Sequence, residues 1–175
     1  DGHLDPSGTT HAYARAATQS GAEIVLRNPV LETNSTPNGG WEVVTQDGTV
    51  YAEHVVNAGG LWAREVGALA GVYLPLHPME HQYLVTEEIP QVYEREKELP
   101  HVMDPAGENY LRQEGRGLVI GFYEQNCTSW AVDGTPLDFG HELLADNLDR
   151  IGSSMETAFH RYPVLERAGI KSNRQ

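Results

Sequence analysis

The rhythm of apolar and polar positions changes several times along the chain, and each change predicts an element. Asp5-Pro6-Ser7 offers a capping acceptor followed by proline at the first helical position, and Ala12, Ala14, Ala16 and Ala17 carry a helix-forming run that Gly21 ends. Ala22 to Leu26 then predicts a short apolar strand. From there the period is two. Val30 to Thr33, Trp41 to Thr45 and Thr49 to Ala52 are β-rich runs separated by Pro37-Asn-Gly-Gly40 and Asp47-Gly48, turn sequences that favour tight hairpins, so a β-meander is predicted. Glu53 to Ala58 predicts a mostly buried strand running into the turn Asn57-Ala58-Gly59-Gly60, and Leu61 to Leu69 a helix closed by Gly71.

Pro75 and Pro78 mark a crossing out of this region, because each removes a backbone donor and biases its predecessor to extended geometry; a boundary is expected near residue 75. Beyond it, Glu80 to Thr86, Asn109 to Gln113 and Leu118 to Tyr123 alternate as strands of an antiparallel sheet. The charged stretch Glu94 to Glu98 reads as a solvated helix or loop, and Asp146 to Tyr162 as a closing helix before Pro163. No internal repeat is visible. The fold class is α+β or α/β.

With 175 residues the chain has room for one ordinary domain or for pieces of two. Twelve Lys and Arg against 25 Asp and Glu give a formal charge of −13, a field that repels phosphate polyanions and anionic lipid; neither nucleic acid nor membrane is expected as a partner. No apolar run approaches the ~20 residues a bilayer span requires. Cys127 is the only cysteine, which excludes an intrachain disulfide and a four-cysteine zinc site and suits a reducing compartment. The chain opens at Asp1 without an initiator Met and closes on Lys171-Ser-Asn-Arg-Gln175, so it is expected to be an excerpt of something longer.

Four features bear on chemistry. The Gly turn at residues 57–60, expected directly after a buried strand and directly before a helix, lets a ligand approach the backbone, and it equally serves as a tight connection with no ligand. Gly115-Arg-Gly117 with Gly121 has the wrong spacing for a phosphate cradle. His77-Pro-Met-Glu80-His81 matches the letters of an H-x-x-E-H metal motif, but that motif needs a helix, and Pro78 with the β-rich Gln82-Tyr-Leu-Val-Thr86 opposes one; no metal is expected. Finally, alternation in two predicted strands puts His81, Tyr83 and Val85 on one face and Tyr110 and Arg112 on another. An imidazole and a phenol converging there can hold an amine neutral or position a carboxylate, or they are simply satisfied sheet residues.

Asp1-Gly-His-Leu-Asp-Pro-Ser-Gly8, Val55-Val-Asn-Ala-Gly-Gly-Leu-Trp-Ala63, Pro78-Met-Glu-His-Gln-Tyr-Leu-Val-Thr-Glu87 and Tyr110-Leu-Arg-Gln-Glu-Gly115 together resemble the dimethylglycine and sarcosine dehydrogenase family, within the wider D-amino-acid-oxidase-like FAD enzymes. Gly121-Phe-Tyr-Glu124, Trp130-Ala-Val-Asp-Gly134, Asp138-Phe-Gly140 and Leu148-Asp-Arg-Ile151 extend the resemblance and favour its dimethylglycine branch. It implies a Rossmann-like FAD-binding domain with a β-meander, represented in part by residues 1–75. An antiparallel-sheet substrate domain would follow over 76–162, and residues 163–175 would start a return to the FAD domain. By the same resemblance Val30 contacts the adenine side through its backbone, Ala58, Gly59, Gly60, Leu61 and Trp62 line the FAD, and His81 and Tyr110 face the substrate. Arg112, on the strand face of Tyr110, is the nearest candidate for a substrate carboxylate, the alternatives being that it serves a surface pair and that the carboxylate-binding group stands in the absent segments. Segments that relatives place before Asp1 and after Gln175 are lacking, so the chain alone is expected to bind FAD poorly, and many relatives carry alanine at the position of Gly60.

The implied activity of the intact protein is oxidative N-demethylation of dimethylglycine or a similar N-methyl amino acid by hydride transfer to flavin, with His81 and Tyr110 as catalytic groups. Tetrahydrofolate is a possible second cofactor through an absent C-terminal region. The electron acceptor is oxygen or a carrier flavoprotein, and the setting is a bacterial cytoplasm or the mitochondrial matrix. Two alternatives stand beside this: a non-catalytic regulatory relative of the same flavoproteins, and a flavin oxidase of another secondary amine such as sarcosine.

Overall fold

The computed structural model describes residues 4–140 and 142–174, which divide into two units. One holds residues 4–77 and 131–138, the other residues 78–130, 139–140 and 142–174. The first three residues of the Asp1–Gly8 motif and the terminal Gln175 lie outside the described residues.

In the first unit, helix α1 (Pro6–Gln19) starts where the caps predict: Asp5 is extended, its carboxylate accepts from Gly8 N–H at 2.5 Å, and Pro6 opens the first turn. The meander is present as β1 (Val30–Ser35), β2 (Trp41–Thr45) and β3 (Gly48–Ala52), an antiparallel sheet in that order. A register shift lies between Val30 and Glu32. A 3₁₀ turn over Gly60–Trp62 leads into α2 (Ala63–Leu69). Two predicted strands are absent. Ala22 to Leu26 and Glu53 to Ala58 form no ladder, and Ile24, Val25, Leu26, Val55 and Val56 are exposed, which corrects the expectation of a buried strand at 53–58. The cause is pairing. An apolar β-prone run becomes a strand only when a neighbour takes its N–H and C=O groups, and among the described residues the sheet of this unit has only β1, β2 and β3.

The second unit contains the core. Short β4 (Met79–Glu80) is followed by β5 (Tyr83–Thr86), helical turn α3 (Pro90–Tyr93), β6 (Val102–Asp104), β7 (Asn109–Glu114), β8 (Gly117–Phe122) and short β9 (Thr128–Ser129). After a 3₁₀ turn at Asp149–Ile151 come α4 (Gly152–Arg161), another 3₁₀ turn at Pro163–Arg167 and β10 (Ile170–Arg174). The antiparallel sheet runs β10-β5-β8-β7-β6, while β4 pairs with β9 in a separate ribbon. Strand alternation sends Leu84, Leu111, Leu118, Ile120 and Phe122 into one cluster with Ile151, Ala158 and Leu165. Residues 163–174, expected to leave for the first unit, are placed here with the sheet, β10 lying against β5. Two more sequence expectations shift: the closing helix expected over 146–162 is α-helical only over Gly152–Arg161, after the 3₁₀ turn at Asp149–Ile151, and the strand at 80–86 is interrupted at His81-Gln82. Gln82 is buried, and its amide donates to Asn147 C=O at 2.5 Å and accepts from Asn147 N–H at 3.1 Å, a clamp that turns the chain between β4 and β5.

Candidate functional site

The site residues expected from sequence fall into two groups, one in each unit. In the first unit, Asn57 organises the Gly turn. Its Oδ1 accepts from Gly59 N–H at 3.0 Å and its Nδ2 donates to Ala63 C=O at 2.8 Å, so one side chain spans the turn. Gly60 adopts φ +55°, a left-handed conformation that explains glycine there, and among the described residues nothing beyond its chain neighbours lies within 4 Å of where its Cβ would stand. The segment 131–138 braces the other side. Trp62 Nε1 donates to Pro136 C=O at 2.8 Å, Thr135 Oγ1 to Leu61 C=O at 3.3 Å, Thr135 N–H to Glu65 Oε1 at 2.8 Å, and Arg64 to Ala131 C=O at 2.8 Å. The bond from Thr135 N–H holds the Glu65 carboxyl below its ordinary range, more than burial raises it. Ala58, Gly60 and Leu61 are exposed, Gly59 and Trp62 half-buried, and Val30 begins β1 with its side chain partly open. An exposed backbone turn with room beside Gly60 and rigid flanks fits a dinucleotide approaching along the main chain.

In the second unit, the face of the sheet opposite the core carries Tyr83, Val85, Tyr110, Arg112, Val119 and Gly121. Tyr110 pairs in register with Gly121, and its ring lies where a Gly121 Cβ would be. Tyr123 joins Tyr110 to His81. Its ring centroid is 5.7 Å from that of Tyr110 and 6.2 Å from that of His81, and His101 flanks Tyr110 from another side at 6.0 Å. Burial, with the phenols of Tyr123 and Tyr83 alongside, raises the Tyr110 pKa above that of an ordinary tyrosine, and Arg112 only partly counters this. Tyr110 is therefore a neutral donor at working pH. Arg112 NH1 reaches the Glu114 carboxylate and, at 3.3 Å, Gln113 C=O.

His81 does not share the strand alternation of Tyr83, because it lies in the break between β4 and β5. Instead its Nδ1 is 3.2 Å from Glu124 Oε2. The other oxygen of Glu124 accepts from Arg150 Nε at 3.1 Å, and Arg150 NH1 reaches Glu80 Oε2 at 2.8 Å and Thr128 Oγ1 at 2.9 Å. Glu124 and Arg150 keep only 4% and 8% of their side-chain surface exposed, whereas the His81 side chain keeps 45%. A rigid, buried ion network thus ends in an accessible imidazole. The H-x-x-E-H letters therefore lie on a strand and a break, and their Glu80 is committed to Arg150.

Sequence reasoning missed Asn57, Tyr123, Glu124 and Arg150. The first had a signal, an Asx residue at a glycine turn leading into a helix. The other three had little, since residues 43 and 70 positions apart meet in this network.

Comparisons with known proteins bear on the family of the chain. The family model described as FAD dependent oxidoreductase (DAO) matches residues 1–173. Mitochondrial dimethylglycine dehydrogenase of Mus musculus is 44% identical over 175 residues, covering 97% of this chain and 20% of its own length. Human mitochondrial sarcosine dehydrogenase is 38% identical, covering 98% and 19%. Among solved structures, L-proline dehydrogenase from P. horikoshii superposes with a TM-score of 0.71 at 23% identity, covering 97% of this chain and 42% of that one, which bears on fold alone. The chain thus spans about a fifth of the length of the dehydrogenases it matches. With a family model spanning nearly every residue, the chain belongs to the DAO family of FAD-dependent oxidoreductases.

Proposed function

We propose that the protein carrying this chain performs FAD-dependent oxidative N-demethylation of dimethylglycine or a closely related N-methyl amino acid. The observation that carries the reading is the open sheet face, where Tyr110, Tyr123 and His81 form a contiguous row and the imidazole is anchored by a buried carboxylate. In this reading residues 1–75 contribute to the flavin domain and 76–162 to the substrate domain. Val30 and the turn Ala58, Gly59, Gly60, Leu61 and Trp62 hold the cofactor, whose bound flavin supplies the two-electron acceptor for a hydride equivalent.

The remaining chemistry falls to side chains. An N-methyl amino acid arrives as an ammonium, which has no lone pair to stabilise the cation that develops when hydride leaves the N-methyl carbon. His81 takes that proton. Tyr110, kept neutral by its surroundings, donates a hydrogen bond that orients the substrate, and Arg112 meets the substrate carboxylate with the part of its guanidinium not turned to Glu114. The resulting substrate iminium is hydrolysed by water to the demethylated amine and formaldehyde, or its one-carbon unit passes to tetrahydrofolate on a separate region. Oxygen or a carrier flavoprotein then accepts the electrons. The similarity to two mitochondrial dehydrogenases supports a matrix setting, a bacterial cytoplasm being the alternative.

The test is anaerobic mixing of the flavin-loaded full-length protein with dimethylglycine, sarcosine and proline while flavin absorbance is followed. Bleaching is expected fastest with dimethylglycine. Bleaching by none of the three overturns the reading, and bleaching led by proline overturns its substrate assignment.

A further inference from the structure

We propose that Glu124 is a positioning residue that fixes the His81 proton on Nδ1 and so makes Nε2 the acceptor for the substrate ammonium proton, with Arg150 as the group that holds the carboxylate in place. The inference rests on the amine-oxidation reading above and deepens it.

The argument follows the donors. Arg150 can only donate, and its Nε–H is directed to Glu124 Oε1 at 3.1 Å. Glu124 Oε2 is then left to Nδ1 of His81 at 3.2 Å. A carboxylate oxygen accepts and does not donate, so a neutral imidazole satisfies this contact only with its hydrogen on Nδ1, which places the lone pair on Nε2. Arg150 is itself held by Glu80 Oε2 at 2.8 Å and Thr128 Oγ1 at 2.9 Å, so the guanidinium is not free to rotate away. Among the described residues, the charged and titratable groups around the ring are Glu124 in direct contact, Tyr123 at its edge, and Arg150 and Glu80 one and two bonds behind. Burial of Glu124 and Arg150 beside a half-exposed His81 gives the arrangement a direction: the fixed end is inside, and the free edge of the ring faces out.

Glu124→Gln inverts this logic with almost no change in shape. Arg150 still requires an acceptor, so the carboxamide oxygen turns to it and the NH₂ group turns to His81, where Nδ1 must now accept. The ring proton moves to Nε2, and the base is lost.

The experiment has two parts on the flavin-loaded full-length protein. In the first, ¹⁵N-labelled histidine ring signals of the neutral form are read by NMR, with His81 identified by the signal that His81→Gln removes. The expected result is Nδ1–H in the wild type and Nε2–H in Glu124→Gln; Nε2–H in the wild type, or no change in the variant, overturns the proposal. In the second, kcat/KM for dimethylglycine is measured in a double-mutant cycle. Glu124→Gln is expected to cost about 100-fold alone and no more than about twofold on a His81→Gln background. Equal losses in both backgrounds overturn the proposal, because a merely structural role acts whether or not His81 is present. Absent flavin bleaching by every amine would defeat the amine-oxidation reading while leaving the tautomer measurement able to decide the role of Glu124.

Discussion

Placing a methyl group at Gly121 tests whether the orientation of Tyr110 matters. A Cβ built there overlaps ring atoms Cε1 and Cζ and the hydroxyl of Tyr110, and ordinary contact begins near 3.4 Å, so the ring must withdraw by about 1 Å or more. Backbone strain does not enter, since the residue sits in regular β8 pairing with Tyr83 and Tyr110. The ring is only half-buried and can swing outward, which removes most of the overpacking penalty but breaks its packing on His101 and Tyr123. Two aromatic pairs at about 0.5–1.5 kcal/mol each set the loss at roughly 1–3 kcal/mol. Catalytically the change is larger, because a displacement of about 1 Å in a positioning group costs on the order of 100-fold in kcat/KM. Denaturant unfolding and steady-state kinetics on the flavin-loaded full-length protein measure both, for Gly121→Ala, Tyr110→Ala and the double variant. The overlap is with the tyrosine, so Gly121→Ala should cost almost nothing once Tyr110 is alanine. If it costs as much there as in the wild type, or if kcat/KM of the single variant is unchanged, the stated relation between Gly121 and Tyr110 is wrong.

Three further outcomes follow from the same structure. Tyr110 has a pKa raised above its unfolded value of 10.0, so its contribution to stability is complete below pH 10 and is lost as pH rises through the folded-state pKa; Tyr110→Phe should flatten the alkaline arm of a plot of unfolding free energy against pH. Glu65 has the opposite sign: its pKa is lowered by Thr135 N–H, so its stabilisation is present above about pH 4.5 and fades as pH falls through the folded value, and Glu65→Gln should reduce the acid sensitivity of flavin retention. Phe122→Ala, at a fully buried position among Leu84, Ile120 and Ile151, should cost about 3–5 kcal/mol in denaturant unfolding, and a loss below about 1 kcal/mol would contradict its place in the core.

The parts legible in the sequence are those governed by nearest neighbours. Asp5-Pro6 and Gly21 bound α1, Pro37-Asn-Gly-Gly40 and Asp47-Gly48 set the hairpins, and alternation located β7 and β8 almost to the residue. Where the outcome depends on a distant partner, local pattern failed in both directions. Ala22–Leu26 and Glu53–Ala58 have strand composition without a ladder, whereas Val102–Asp104 and Thr128–Ser129, too short to stand out, are strands because β7 and β4 pair with them. The site divides the same way. Resemblance points to residues 58–62, His81 and Tyr110, and alternation places Tyr110 on its sheet face but not His81, which lies in a break; nothing in the order of residues shows that Glu124 and Arg150 stand behind His81.

The same network explains why His81 occupies a break and not a strand. In a continuous β4–β5 strand, its ring would project from the sheet face beside Tyr83, with direction set by backbone pleat alone. The Gln82–Asn147 clamp interrupts the strand, and the ring is then fixed by Glu124. That solution is not the stable one: a buried Arg between two carboxylates recovers little more than its desolvation cost, and apolar residues of similar size commonly fold as well or better. What apolar packing cannot do is choose between the two nitrogens of an imidazole. Arg150 donates and the Glu124 carboxylate accepts, so the identity of the protonated nitrogen is set by charge and geometry together. On this view the ion network is a device for specifying a proton position, held by a carboxylate and a guanidinium that are themselves buried.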